Sequence, residues 1–146
     1  MRDVLNNTFK GGALVWEAPP VGWLKINVDA ACFDSGMGTG CDVVERNQTG
    51  AWVSAFTNRK AECLSPIVAE GWALKEALSW IKSVKKQKDC VSLLNSLVDI
   101  KVIFVYHFAN CVVHSLARAT YSMTGRKVWV DSPPYFLTDV LRADYP

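Results

Sequence analysis

Residues 23–31 of this chain read Trp-Leu-Lys-Ile-Asn-Val-Asp-Ala-Ala, and their alternation limits the fold more than any other segment. In an extended strand, side chains point alternately to two faces. Leu24, Ile26, Val28 and Ala30 therefore share one face, and Lys25, Asn27 and Asp29 share the other. A half-buried strand needs neighbours, and the following residues provide them. The glycine-rich turn from Gly36 to Gly40 leads into a second strand at Cys41 to Arg46. Asn47-Gln48-Thr49-Gly50 then turns the chain into a third strand at Ala51 to Phe56, so that two strands are joined by a hairpin.

The clearest helix follows. Ser65 suits an N-cap and Pro66 the first helical position, and Ile67, Gly71, Leu74, Leu78 and Ile81 recur at three-to-four spacing. The pattern predicts a helix over about 66–86 with that stripe against the sheet. Glu70 falls about 60° from the centre of the stripe, on the border with solvent, where a carboxylate points beside the sheet. Lys82, Lys85, Lys86 and Lys88 gather at the C-terminal end, where the helix dipole favours cations. Asp89 to Asp99 suits a short helix. Lys101 to Tyr106 (KVIFVY) has the β-branched and aromatic content of a strand. Asn110 is positioned to cap a further helix whose Val113, Leu116, Ala117 and Thr120 share a face. The order β-β-β-α-(α)-β-α predicts an α/β or α+β domain with a mixed sheet.

Composition narrows the class without naming a partner. The chain has 146 residues, half of them hydrophobic, and six tryptophans, which suffices for one domain with a real core. A net charge of +2 is too small to mark a nucleic-acid-coating protein, so any such role must rest on particular residues. The first ten residues lack the apolar run of a signal peptide, and no stretch is long and apolar enough for a membrane span. Five cysteines, an odd number with no C-x-x-C pair, imply free thiols and a reducing compartment. The expectation is a cytoplasmic or nuclear protein that is not secreted and has no membrane partner.

Several motifs carry a family resemblance. They are Trp16, Pro19, Pro20 and Gly22 ahead of Leu24 to Ala31, the glycine turn, Arg-Asn-x-x-Gly at Arg46 to Gly50, and Ser-Pro-x-x-Ala-Glu-x-x-Ala-Leu at Ser65 to Leu74. Ala-Asn-x-x-x-His-x-Leu-Ala-Arg at Ala109 to Arg118 follows, then a tail with Trp129, Pro133, Pro134, Phe136, Leu137 and Asp144. In order and spacing the chain resembles the ribonuclease H-like domains common in plant genomes, related to the ribonuclease H portion of retroelement polymerases. The resemblance implies a single domain over 16–146 behind an extension at 1–15. It also implies a mixed sheet of three antiparallel strands and then a parallel strand, flanked by helices.

Enzymes of that family cut the RNA strand of an RNA–DNA hybrid with two Mg²⁺ ions (or Mn²⁺) held by acidic residues, since hard cations take oxygen ligands. By resemblance Asp29 and Glu70 are metal-holding and catalytic. His114 is a third catalytic position, where the plant branch often has His in place of an acid. Ser65 and Asn110 are the implied nucleic-acid contacts, with an RNA–DNA hybrid or other nucleic acid as partner. His107 stands where relatives carry Arg.

One segment departs from the family. Only Asp89 to Lys101 separates Lys88 from Val102, so the resemblance implies that the fourth strand, its Ser-Asp catalytic position and much of the next helix are missing; Asp89 to Leu94 fits the end of that helix better than the catalytic position. Losing a central strand removes roughly 5–10 kcal/mol of burial, comparable with a whole domain's stability. The expectation is that Val102 to Tyr106 moves in beside Trp23 to Ala31. With only two carboxylates, a nucleic-acid-binding domain with impaired hybrid cleavage follows. The alternative is a non-catalytic fold remnant or an interaction module from a truncated gene product.

Overall fold

The structure is a computed structural model and describes residues 15–33, 36–88 and 107–144. Three strands form an antiparallel meander: β1 (Lys25–Cys32), β2 (Thr39–Arg46) and β3 (Trp52–Lys60). They follow the predicted strands, with β3 running four residues further. Gly38 carries the β1–β2 connection at φ +88°, and a Cβ there would collide with the Lys60 carbonyl, so only glycine fits. In the β2–β3 turn the Asn47 side chain accepts hydrogen bonds from the Thr49 amide (2.9 Å), the Thr49 hydroxyl (2.7 Å) and the Ala51 amide (3.0 Å). Gly50 closes the turn at φ +79°.

A fourth strand, β4 (Lys127–Val130), pairs antiparallel with β3, giving the order β1-β2-β3-β4. Sequence pattern did not mark it, because only four residues pair and most of them are exposed. The expected parallel strand at Val102 to Tyr106, its pairing with β1, the helix at Asp89 to Asp99 and nearly all of the N-terminal extension lie outside the described residues. The fold is a mixed α/β domain with helices on both faces of the sheet.

Helix α1 (Pro66–Lys88) packs on the Ile26, Val28 and Ala30 face, as β1's alternation requires, but of the predicted stripe only Ile81 is buried. Ile67 is 82% exposed, and Leu74 and Leu78 are also exposed. The buried side is Ala69, Ala73, Ala77, Trp80 and Ile81, against Cys41, Val43 and Phe56. Alanines at four-residue spacing bring the helix axis close to the sheet, and Trp80 fills the space beyond them, its ring 5.0 Å from that of Phe56. A pattern weighted towards large side chains overlooks a face built from small ones.

Helix α2 (Cys111–Thr120) covers the other face behind a short 3-10 turn at His107–Asn110. Its Val112, Val113, Leu116 and Ala117 are buried, and the first three pack with Val44 and Ala55. Helix α3 (Thr138–Ala143) adds Leu141 to this core, and Leu137 just ahead of it fills the same cluster.

One buried cation ties Trp16 to Asp144. The Arg46 guanidinium lies 3.6 Å from the centre of the Trp16 ring, donates from Nε to the Gly50 carbonyl (2.9 Å) and pairs with Asp144 (3.2 Å). The family-like Trp, the hairpin Arg and Gly, and the tail Asp thus form one contact set. Cys32, Cys41, Cys63 and Cys111 are free thiols, while Cys90 lies outside the described residues. Burial pushes the Cys41 thiol well up, with the charges of Asp42 and Glu76 adding to the effect.

The packing of α1 gives a direct comparison. Ala73→Leu should destabilise the protein by about 1–3 kcal/mol through overpacking, and Ile67→Ser should stay within about 0.5 kcal/mol. Urea unfolding measures both, and the opposite order would restore the predicted stripe as the buried face.

Candidate functional site

Asp29 and Asn27 lie on the α2-facing side of β1, and Asn27 fixes where α2 begins. Its Oδ1 accepts from Trp16 Nε1 (3.0 Å), and its Nδ2 donates to Asn110 Oδ1 (2.8 Å). Asn110 Nδ2 in turn donates to the Val28 carbonyl (3.1 Å). Asn110 therefore occupies the N-cap position of α2 as expected, yet makes no side-chain cap hydrogen bond. Both ends of its amide bond to β1, Oδ1 accepting from Asn27 and Nδ2 donating to Val28. Four helical residues rise about 6 Å and two strand residues about 6.6 Å. Joining Asn27 to Asn110 consequently brings Asp29 level with His114. His114 Nδ1 lies 3.2 Å from Asp29 Oδ2, with both side chains partly open to solvent.

Glu70 approaches from the other side of β1, near the start of α1. Its carboxyl is raised above the ordinary glutamate range, first by partial burial and second by the negative charge of Asp29. The β3–α1 loop that positions this helix start is held by the buried Thr39. The Thr39 hydroxyl donates to the Glu62 carbonyl (2.8 Å) and accepts from the Leu64 amide (3.0 Å). Ser65 is exposed at the helix entrance, and its carbonyl accepts the Ala69 amide (2.8 Å). Lys82 is exposed, and Asp89 lies outside the described residues.

A second aspartate, not singled out in the sequence, sits directly across from Asp29. Asp42 pairs with Asp29 in the β1–β2 register and is fully buried. Both of its oxygens face the Arg59 guanidinium (3.3 and 3.4 Å), and Thr120 donates to it (3.2 Å). Burial raises the Asp42 carboxyl, and Arg59 opposes that shift. Asp42 is an internal ion-pair partner and not a free oxygen ligand.

The Asp29–His114 pair forms one wall of a cleft of about 570 Å³ between β1 and α2, which continues past Ala117 and Arg118 to Phe33 and Tyr121. Sequence reasoning missed the aromatic end of this cleft. The only available signal was that Phe33 and Tyr121 each lie just beyond the last residue of their element, β1 and α2.

The chain is distantly similar to a curated protein. It is 25% identical over 158 residues to an Arabidopsis thaliana protein named "Putative ribonuclease H protein", covering 88% of this chain and 25% of the relative. The chain thus spans about a quarter of the length of the curated relative it matches. The aligned stretch is longer than the whole 146-residue chain, so the relative has residues there that this chain lacks. This supports a ribonuclease H-like relationship at most. No family model matches, and no solved structure matches.

Asp29 and Glu70 offer the hard oxygen donors that a divalent cation takes, and their repulsion is what such a cation relieves. Among the described residues no three His, Cys, Asp or Glu side chains gather closely enough to hold a metal ion.

The Glu70 shift has a definite sign. Because its folded-state value is raised, the protonated form is favoured in the fold, and stability is lost as pH rises from the ordinary glutamate value through the raised one. Asp29→Asn should lower the Glu70 value and shrink that loss, which carboxyl-detected NMR titration measures. An unchanged Glu70 titration would mean that the two carboxylates do not interact.

Proposed function

We propose that this chain is a nucleic-acid-binding, ribonuclease H-like domain whose hydrolysis of the RNA strand of RNA–DNA hybrids is strongly reduced. The observation that carries the reading is Asp29 on β1, coupled on one side to His114 at 3.2 Å and on the other to the charge of Glu70. The similarity to a protein named as a ribonuclease H agrees with it.

In this reading Asp29 and Glu70 would hold a single Mg²⁺ or Mn²⁺, whose chemistry when bound is to polarise a phosphate oxygen and make bound water more acidic. The remaining work belongs to the chain itself. Asp29 orients the His114 ring through Nδ1, and Nδ1 donates to the carboxylate when it carries the proton. In this reading the His114 imidazole would accept or deliver a proton near the phosphate. Ser65 and the open amides at the start of α1 offer donors to a backbone phosphate. Asn110 serves indirectly, by setting the height of His114.

Two carboxylates supply two negative charges, whereas a two-ion centre brings four positive ones. Double occupancy is therefore unfavourable, and in-line displacement lacks one of its two charge clamps. Hence binding outlasts cleavage.

A labelled RNA–DNA hybrid incubated with Mg²⁺ or Mn²⁺ tests the proposal. The expected result is salt-dependent binding with slow cleavage that Asp29→Asn abolishes. Fast multiple turnover, abolished by Asp29→Asn, would contradict the reduced activity. Absence of binding together with broad, non-cooperative melting would favour a fold remnant.

A further inference from the structure

The cleft beside Asp29 and His114 ends in two aromatic rings that the hydrolytic reading does not use. Phe33, just past β1, and Tyr121, just past α2, face each other with centroids 6.3 Å apart and planes tilted by 54°. Tyr121 is 52% exposed. Phe33 is supported by Arg59, whose guanidinium lies 5.2 Å from the ring centre. Arg59 is itself fixed by Asp42, by the Thr120 hydroxyl (2.8 Å) and by the Ala117 carbonyl (3.5 Å). The Phe33 ring thus rests on a buried, braced cation, and Tyr121 leans against that ring at the cleft mouth. Arg118, exposed in the same wall, adds a positive charge.

We propose that Tyr121, supported by Phe33, is a stacking platform for an unpaired nucleobase, so that the cleft prefers single-stranded nucleic acid to an intact duplex. This inference rests on the nucleic-acid-binding reading and specifies its substrate class. Inserting a base between two rings requires parallel planes about 7 Å apart, two van der Waals contacts thick. The observed separation and tilt do not meet that requirement, so the base lies on the exposed face of Tyr121, with Phe33 behind as support. In a paired duplex the base faces are covered by their neighbours and unavailable to a side chain. Only an unpaired or splayed nucleotide presents one. The cleft volume of about 570 Å³ accommodates one nucleotide, with Arg118 near its phosphate and the Asp29 carboxylate in reach of a ribose hydroxyl.

The test uses the whole chain, with EDTA present to prevent cleavage. Fluorescence anisotropy compares a labelled single-stranded oligouridylate with the same strand annealed to oligodeoxyadenylate. The single strand should bind more tightly. Tyr121→Leu, which keeps apolar bulk but removes the π face, should weaken single-strand binding about tenfold with little effect on the hybrid, and Tyr121→Phe should retain it. Thermal melting of each variant separates lost stacking from lost folding. If Tyr121→Leu folds and binds the single strand as tightly as the parent protein, or if the hybrid binds more tightly, the stacking platform is refuted while nucleic-acid binding stands. If neither probe binds, nucleic-acid binding itself is refuted and the platform with it.

Discussion

The hydrogen bond between the side chains of Asn27 and Asn110, 2.8 Å long, sets the geometry on which the rest depends. It joins residues that are 83 apart in sequence and fixes the start of α2 at one height on β1. Because an amide has both a donor and an acceptor end, each asparagine serves two partners. Asn27 also accepts from Trp16, and Asn110 also donates to the Val28 carbonyl. One turn further along, the same register brings His114 to Asp29, and at the far end of α2 it sets Tyr121 beside Phe33. A one-residue slip of β1 would turn Asn27 and Asp29 to the opposite face and dismantle the whole arrangement.

The two faces of the sheet divide the work. Towards α1 the contact is almost wholly apolar, with small alanines set against Cys41, Val43 and Phe56. Towards α2 it combines the Val44 and Ala55 core with a polar strip of Asn27, Asp29, Asp42 and Thr57. Asp29 and Asp42 stand side by side in this strip and meet different fates. Asp42 is sealed by Arg59 and Thr120, while Asp29 stays at the solvent boundary. Neutralising the inner carboxylate with an arginine leaves the outer one as the chemically available charge.

Much of this was legible in sequence. The alternation of β1, the turn residues Asn47 and Gly50, the Ser65-Pro66 helix start and the shared face of Val113, Leu116, Ala117 and Thr120 all state local preferences that packing reinforces. What sequence could not convey depended on long-range contacts. Ile67, Leu74 and Leu78 outweigh three alanines in any periodicity count, yet shape selects the alanine face. Asn110 reads as a cap until β1 is seen to occupy its amide. The ring contact of Phe33 with Tyr121 joins two residues that no local pattern links. Asp29 and Glu70 stood out through family resemblance, and their electrostatic coupling across β1 is a property of the folded chain.

The central proposal is that Asp29 and Glu70 hold one divalent cation. Isothermal titration of Mn²⁺ into the protein tests it most directly. The account predicts one site per chain, lost in both Asp29→Asn and Glu70→Gln, while Asp42→Asn removes no metal ligand. Two tight sites per chain, or one that persists in Asp29→Asn, would contradict it.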